Sequence, residues 1–242
     1  MTGVGRAAAA AVLAIVAWAY GSASATADGA VVDVALDFTY SSLRYWRGDQ
    51  SGHGSAAIPS ADVSVTSGEV SVGVNLWYAQ GLELGPTDDN NELDYTAYAA
   101  ASAGPVDATV GATNLLVPLD APFKDGRSTL ELWGGVSFPG LPFDNDVRFS
   151  LNVDGDEDDS WYLAPSVGYT VDHLTLAMTL GIAGASPGYY GNAGSALIDV
   201  TPSISYSIPL GDAEAAASLA IGYNPDAKVT VPYFTMGIGW GP

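Results

Sequence analysis

Hydrophobic and polar residues alternate along this chain with a period of two. In AVVDVALDFTY, Val32, Val34, Leu36, Phe38 and Tyr40 share one face, and Asp33, Ala35, Asp37 and Thr39 share the other. In EVSVGVNLWY, Val70, Val72, Val74, Leu76 and Tyr78 oppose Glu69, Ser71, Gly73, Asn75 and Trp77. HLTLAMTLGIA sets Leu174, Leu176, Met178, Leu180 and Ile182 against Thr175, Ala177, Thr179, Gly181 and Ala183. Successive side chains of a strand point to opposite faces, so the pattern predicts strands with one apolar face.

Followed to the end, the alternation predicts about twelve strands, near 31–43, 58–66, 69–79, 91–103, 106–116, 128–138, 143–153, 159–170, 173–185, 196–208, 212–223 and 229–240. Most are longer than the five or six residues usual in soluble sheets, and match the roughly 9–11 residues of a tilted membrane-spanning strand. The connections carry a second rhythm. Long links at 44–57, 80–90, 117–127 and 186–195 and an intermediate one at 154–158 alternate with tight turns at Ser67-Gly68, Gly104-Pro105, Val171-Asp172 and Pro209 to Gly211, and with the short PGLP link. Long loops on one rim and tight turns on the other characterise outer-membrane barrels. The expected orientation puts the long loops outside and both chain ends in the periplasm. The last strand places Phe234, Met236, Ile238 and Trp240 on one face, similar to the signal read by barrel-assembly machinery, although Gly241 and Pro242 follow the aromatic.

The polar face separates a barrel from a soluble β-sandwich. A water-exposed face usually carries Lys, Arg, Glu and Thr. Here it is mostly Ser, Thr, Gly, Ala and Asn with scattered carboxylates, and Lys occurs only at 124 and 228. Small residues suit a crowded barrel interior. Aromatics near strand ends (Tyr40, Tyr78, Trp133, Phe138, Trp161, Tyr169, Tyr206, Tyr223, Trp240) suit interfacial girdles. The expected fold class is therefore all-β: an antiparallel transmembrane β-barrel.

The N-terminal residues 1–27 stand apart from this pattern. Arg6 precedes an apolar run from Ala7 to Tyr20, and Ala23-Ser24-Ala25 and Ala25-Thr26-Ala27 both fit a small-x-small cleavage site. The run is short of the roughly 20 residues of a spanning helix, so a cleaved signal peptide is expected, ending at Ala25 or Ala27. The barrel domain is then 28–242.

Composition narrows function. Seven Lys and Arg face 27 Asp and Glu, which argues against nucleic acid as a partner. The chain has no Cys, so neither disulfides nor thiolate chemistry are available. With only 14% charged and 48% hydrophobic residues it is not a disordered acidic tail.

Several stretches resemble the TorF-type porin family (Gcw_chp outer-membrane proteins). They are DVALDFTYSSLRYWRG with its Trp46-Arg47-Gly48 end, VNLWYA, ELDYTAYAA, TLELWGGVSF, RFSLNVDGDEDDSWYLAPSVGYTV and GYYGNAGSALIDVTPSISYSIPLGD. The resemblance spans most of 30–240 and implies a twelve-stranded barrel with a transport role and no catalytic residues. The very low Lys content departs from it.

By alternation, Asp33, Asp37, Asp62, Glu69, Glu92, Asp94, Asp107, Glu131, Asp199 and Glu214 face the lumen, with Arg148 as the clear cation there. Such carboxylates either line a wet lumen or make the pore prefer cations. Arg44 and Arg47 end the first strand, and either fold inward to narrow the mouth or meet lipid phosphates. Asp154, Asp156, Asp158 and Asp159 in VDGDEDDS form either a solvated loop, bridged by divalent cations to lipopolysaccharide, or a cation site, without EF-hand spacing. No cofactor is expected. An enzyme is not expected either, because His53 and His173 fall at opposite rims without a serine constellation. The expected function is a porin-like channel for small solutes. The alternative is a structural or adhesive surface barrel with a plugged lumen. The expected partners are outer-membrane lipid, lipopolysaccharide and permeating solutes.

Overall fold

The computed structural model describes residues 29–51, 54–82, 91–117 and 127–241. Its strands are β1 (Val31–Ser41), β2 (Tyr45–Trp46), β3 (Asp49–Gln50), β4 (Ala56–Ser67), β5 (Val70–Gly81), β6 (Glu92–Ala103), β7 (Val106–Val117), β8 (Arg127–Ser137), β9 (Asp144–Asp154), β10 (Trp161–Val171), β11 (Leu174–Ala183), β12 (Ala196–Leu210), β13 (Ala213–Asn224) and β14 (Val229–Trp240). Twelve of them close into one antiparallel barrel in sequence order. The ends meet where β1 pairs with β14, from Leu36 opposite Trp240 to Ser41 opposite Thr235. Closure gives every strand two partners, so the sheet has no edge with unpaired backbone groups. The expected signal peptide lies outside the described residues.

Alternation explains the two walls. Outward positions stay open and apolar: Leu219 is 62% exposed and Val110 61%, with Val32, Val34, Leu36, Phe38, Ile204, Ile208 and Met236 also exposed. A soluble protein does not leave a continuous apolar belt of this kind in water, whereas a barrel wall in lipid requires one. Inward positions are small or polar and include Ser41, Thr113, Ser150 and Asn152, all buried. The small apolar cluster of Tyr162, Ala183 and Ile198 sits towards the long-loop rim.

Tight turns open on residues with positive φ: Gly68 (62°), Gly104 (61°), Asp172 (54°) and Gly211 (70°). Two-residue hairpin turns need such backbone, because it matches the twist of the flanking strands. Several turns fall a residue later than the sequence reading placed them. This moves Glu69 out of the wall and into the tight turn before β5. Trp133, expected in a rim girdle, points inward and donates from Nε1 to Thr113 Oγ1 at 3.0 Å. The alternation does not reveal one further element. Within the first long loop, β2 and β3 form a small hairpin apart from the barrel. Two-residue strands are too short to show a period.

Candidate functional site

The small hairpin turns on Arg47 and Gly48, with φ of 48° and 87°. Positive φ at both turn residues usually selects Asn or Gly. An arginine there is held by its surroundings rather than by backbone preference. Gly48 is required for a different reason: a Cβ would overlap the Ile198 carbonyl, and Asn224 Nδ2 donates to Gly48 O at 3.0 Å. The hairpin is thereby seated on β12 and β13, inside the barrel.

Three arginines share one arrangement in the upper lumen, towards the long-loop rim. Arg44 pairs with Glu92 and lies 5.4 Å from the Trp77 ring. Arg47 pairs with Glu131 and lies 4.4 Å and 4.8 Å from the rings of Trp46 and Tyr162. Arg148 meets Glu131 at 3.3 Å and covers Trp133 at 4.2 Å. A guanidinium between a carboxylate and an aromatic face satisfies both its donors and its flat surface. Arg47 also donates to Tyr190 Oη at 2.9 Å and Ser150 Oγ at 3.1 Å. Burial lowers the Arg44 pKa to about 10, with Asp94 opposing the shift, so the group stays charged at neutral pH. Burial also works against the Arg47 charge, but Tyr190 and Glu131 outweigh it and hold its pKa above the ordinary guanidinium value.

The hairpin has a second attachment. Tyr45 donates to Asp199 Oδ1 at 3.1 Å and stacks on Tyr233 at 5.9 Å. Asp199 also accepts from Tyr162 Oη at 2.9 Å and from Thr201 Oγ1 at 2.6 Å. Above it, Tyr189 and Tyr190 from the 184–195 loop pack against Trp46 at 6.1 and 6.2 Å. A cavity of about 630 Å³ remains against the hairpin, lined by Arg44, Trp77, Asp94, Glu131, Asp199 and Tyr233 among others.

The sequence-predicted site residues thus divide between two zones. Glu92, Asp94, Glu131, Arg148 and Asp199 gather in the upper lumen with Arg44 and Arg47, all lining this cavity. Asp33 and Asp37 lie on the inner face of β1 and Glu214 near the start of β13, none of them lining the cavity. Asp144 and Asp146 share the inner face of β9 with Arg148 and belong to the acidic wall. They were missed in sequence, although their parity with Arg148 would have shown them. Tyr45, Trp46, Tyr162 and Tyr190 were not foreseen as a group, since tertiary folding of two loops brings them together. Glycines on the lumen face do not all leave open space. Gly73, Gly111 and Gly181 are seats for the rings of Tyr98, Trp133 and Tyr162, and a Cβ at any of them would collide with the ring. Those rings lie along the wall instead of crossing the lumen.

In the acidic loop, Asp156 is the organiser. Its carboxylate accepts from Asn152 Nδ2 (2.8 Å), Asp158 N and Ser160 N (both 3.0 Å). Asp158 Oδ2 accepts from Gly188 N at 2.8 Å, tying this loop to the 184–195 loop. Asp154 ends β9, and Asp159 has a positive φ of 46°. Among the described residues, no three His, Cys, Asp or Glu side chains form a metal-ligand group. His173 sits at a tight turn, edge-on to the Tyr206 ring at 6.0 Å, and His53 lies outside the described residues.

No family model and no curated protein matches the chain. Solved structures do. A KdgM porin aligns at TM-score 0.53 and 8% identity, over 85% of this chain and 98% of that one. The KdgM porin in complex with disordered oligogalacturonate aligns at 0.52 and 8%, over the same 85% and 98%. Outer membrane phospholipase A from Escherichia coli aligns at 0.50 and 11%, over 86% and 92%. A channel and an enzyme share this architecture, so the likeness is one of fold: the chain is a closed twelve-stranded barrel of the outer-membrane type.

Proposed function

We propose that the protein is an outer-membrane diffusion channel for small polar solutes, with a preference for cations. The observation carrying this reading is a polar, charge-lined lumen that the inward hairpin narrows but does not fill, leaving the cavity of about 630 Å³. Away from the hairpin the wall carries Asp33, Asp37, Asp62, Asp107, Asp144, Asp146 and Glu214, with Arg148 beside Asp146 on β9. Rings of carboxylates raise the local concentration of cations. The stretches quoted above support placing the chain with the TorF-type porins, and the acidic 154–159 loop offers divalent ions a bridge to lipopolysaccharide. A channel reading also suits His173, which sits edge-on to Tyr206 at a tight turn and does not line the upper cavity, better than a hydrolase reading does. Swelling of liposomes containing the refolded protein tests the channel. Uptake of small neutral and cationic solutes supports it, and liposomes as tight as protein-free ones contradict it. The second reading, a plugged structural or adhesive barrel, draws on the packing of Trp46 against Tyr189 and Tyr190 over the mouth. Tight liposomes are what that reading expects.

A further inference from the structure

The Arg47 guanidinium occupies a complete cation cage. Two ring faces, Trp46 and Tyr162, cover it at 4.4 and 4.8 Å. Tyr190 Oη and Ser150 Oγ accept its hydrogen bonds, and Glu131 supplies the charge. The side chains of Arg47 and Glu131 are only 10% and 2% exposed. Apart from Trp46, every member of the cage belongs to the barrel wall or the 184–195 loop, not to the hairpin. The backbone gives an independent sign. Arg47 holds a φ of 48°, which an arginine adopts at a cost, so the cage and not the turn dictates the residue.

We propose that this cage is a binding site for guanidinium-bearing or similar flat organic cations, which the chain's own Arg47 fills as an internal ligand. The loop's latch and the solute's site are then the same place. A solute cation that displaces Arg47 frees the hairpin tip and widens the upper lumen. The gating half of this inference rests on the channel reading, whereas the cage does not.

The test is chemical rescue in the full refolded barrel. Arg47→Ala vacates the cage and lowers the midpoint of heat-modifiable gel migration. Millimolar methylguanidinium restores most of that loss, while methylurea, the uncharged molecule of the same shape, does not. Arg47→Lys serves if the alanine variant fails to fold: it keeps the charge but not the flat fork, and the same rescue is expected. Equal effects of the two probes, or no rescue in either variant, overturn the proposal. Single-channel recording of the wild type separates the two claims. A conductance increase with methylguanidinium and none with methylurea supports the gate. Conductance without rescue overturns the cage and leaves the channel standing. Rescue without conductance in any variant keeps the cage and overturns the gate together with the channel reading.

Discussion

The upper and lower halves of one lumen treat charge in opposite ways. Near the long-loop rim, Arg44, Arg47 and Arg148 each meet a carboxylate and an aromatic ring, and Arg44, Arg47 and the shared Glu131 are buried while the Arg148 side chain is 40% exposed. Towards the tight turns, Asp37 and Asp144 meet hydroxyls: Thr39 donates to Asp37 at 2.8 Å and Thr170 to Asp144 at 3.2 Å, both exposed. The same residue types therefore do different work. Buried charges must be paired or they destabilise the fold, whereas water-facing charges contribute little to stability and set the field along the path. On the proposed channel reading, the upper zone builds the constriction and the lower zone sets the field of the pore.

Substitutions should separate the halves, and the largest effect belongs to Glu131→Gln. It removes the carboxylate shared by Arg47 and Arg148, leaving the buried Arg47 without its ion-pair partner, while the half-exposed Arg148 keeps Asp146 nearby. Breaking a buried pair from one side costs about 3 kcal/mol or more. The expected outcome is a clear fall in the urea midpoint of refolded protein, together with a larger and noisier conductance as the hairpin loosens. Gly48→Ala comes next. Its Cβ would overlap the Ile198 carbonyl at a backbone φ of 87°, an incompatibility of about 2 kcal/mol. Loss of the hairpin's seat, read as new protease cleavage within 42–55 while the barrel stays folded, is the expected result.

The lower half should answer only in selectivity. Asp33→Asn with Asp37→Asn is expected to leave the urea midpoint within about 0.5 kcal/mol of wild type while reducing cation preference. A large stability loss here would erase the distinction between the halves. The smallest effect is a pH response of the 154–159 loop. Burial pushes the Asp156 carboxyl up, but hydrogen bonds from Ser160, Asn152 and Asp158 outweigh it and leave the pKa below the ordinary value. A depressed carboxylate stabilises the folded loop above its unfolded pKa, and that contribution fades as pH falls through the folded value. Amide exchange at Asp158 and Ser160 should therefore stay slow at neutral pH and quicken, relative to the barrel strands, in strong acid.

The barrel was largely legible because its two rhythms are local. Period-two strands and alternating long and short links need no knowledge of what packs where. Parity alone put Asp94, Glu131, Arg148 and Asp199 on one side of their strands. The turn boundary also shifted by one residue at Glu69, while the faces of β5 stayed as the alternation read them. What it left out is the convergence of distant segments. Tyr190 lies 143 positions from Arg47 in sequence, and Tyr45 lies 154 from Asp199, with no short-range signal joining them. Nor does a glycine such as Gly111 announce whether it opens space or seats a ring, because that depends on the opposing strand's Trp133.

An open lumen with a negative field fixes the zero-current potential of the inserted wild-type protein across a KCl gradient. The expected outcome is a measurable conductance and a potential of the sign for potassium over chloride. Anion preference, or a bilayer that stays silent with correctly folded barrel inserted, would contradict it.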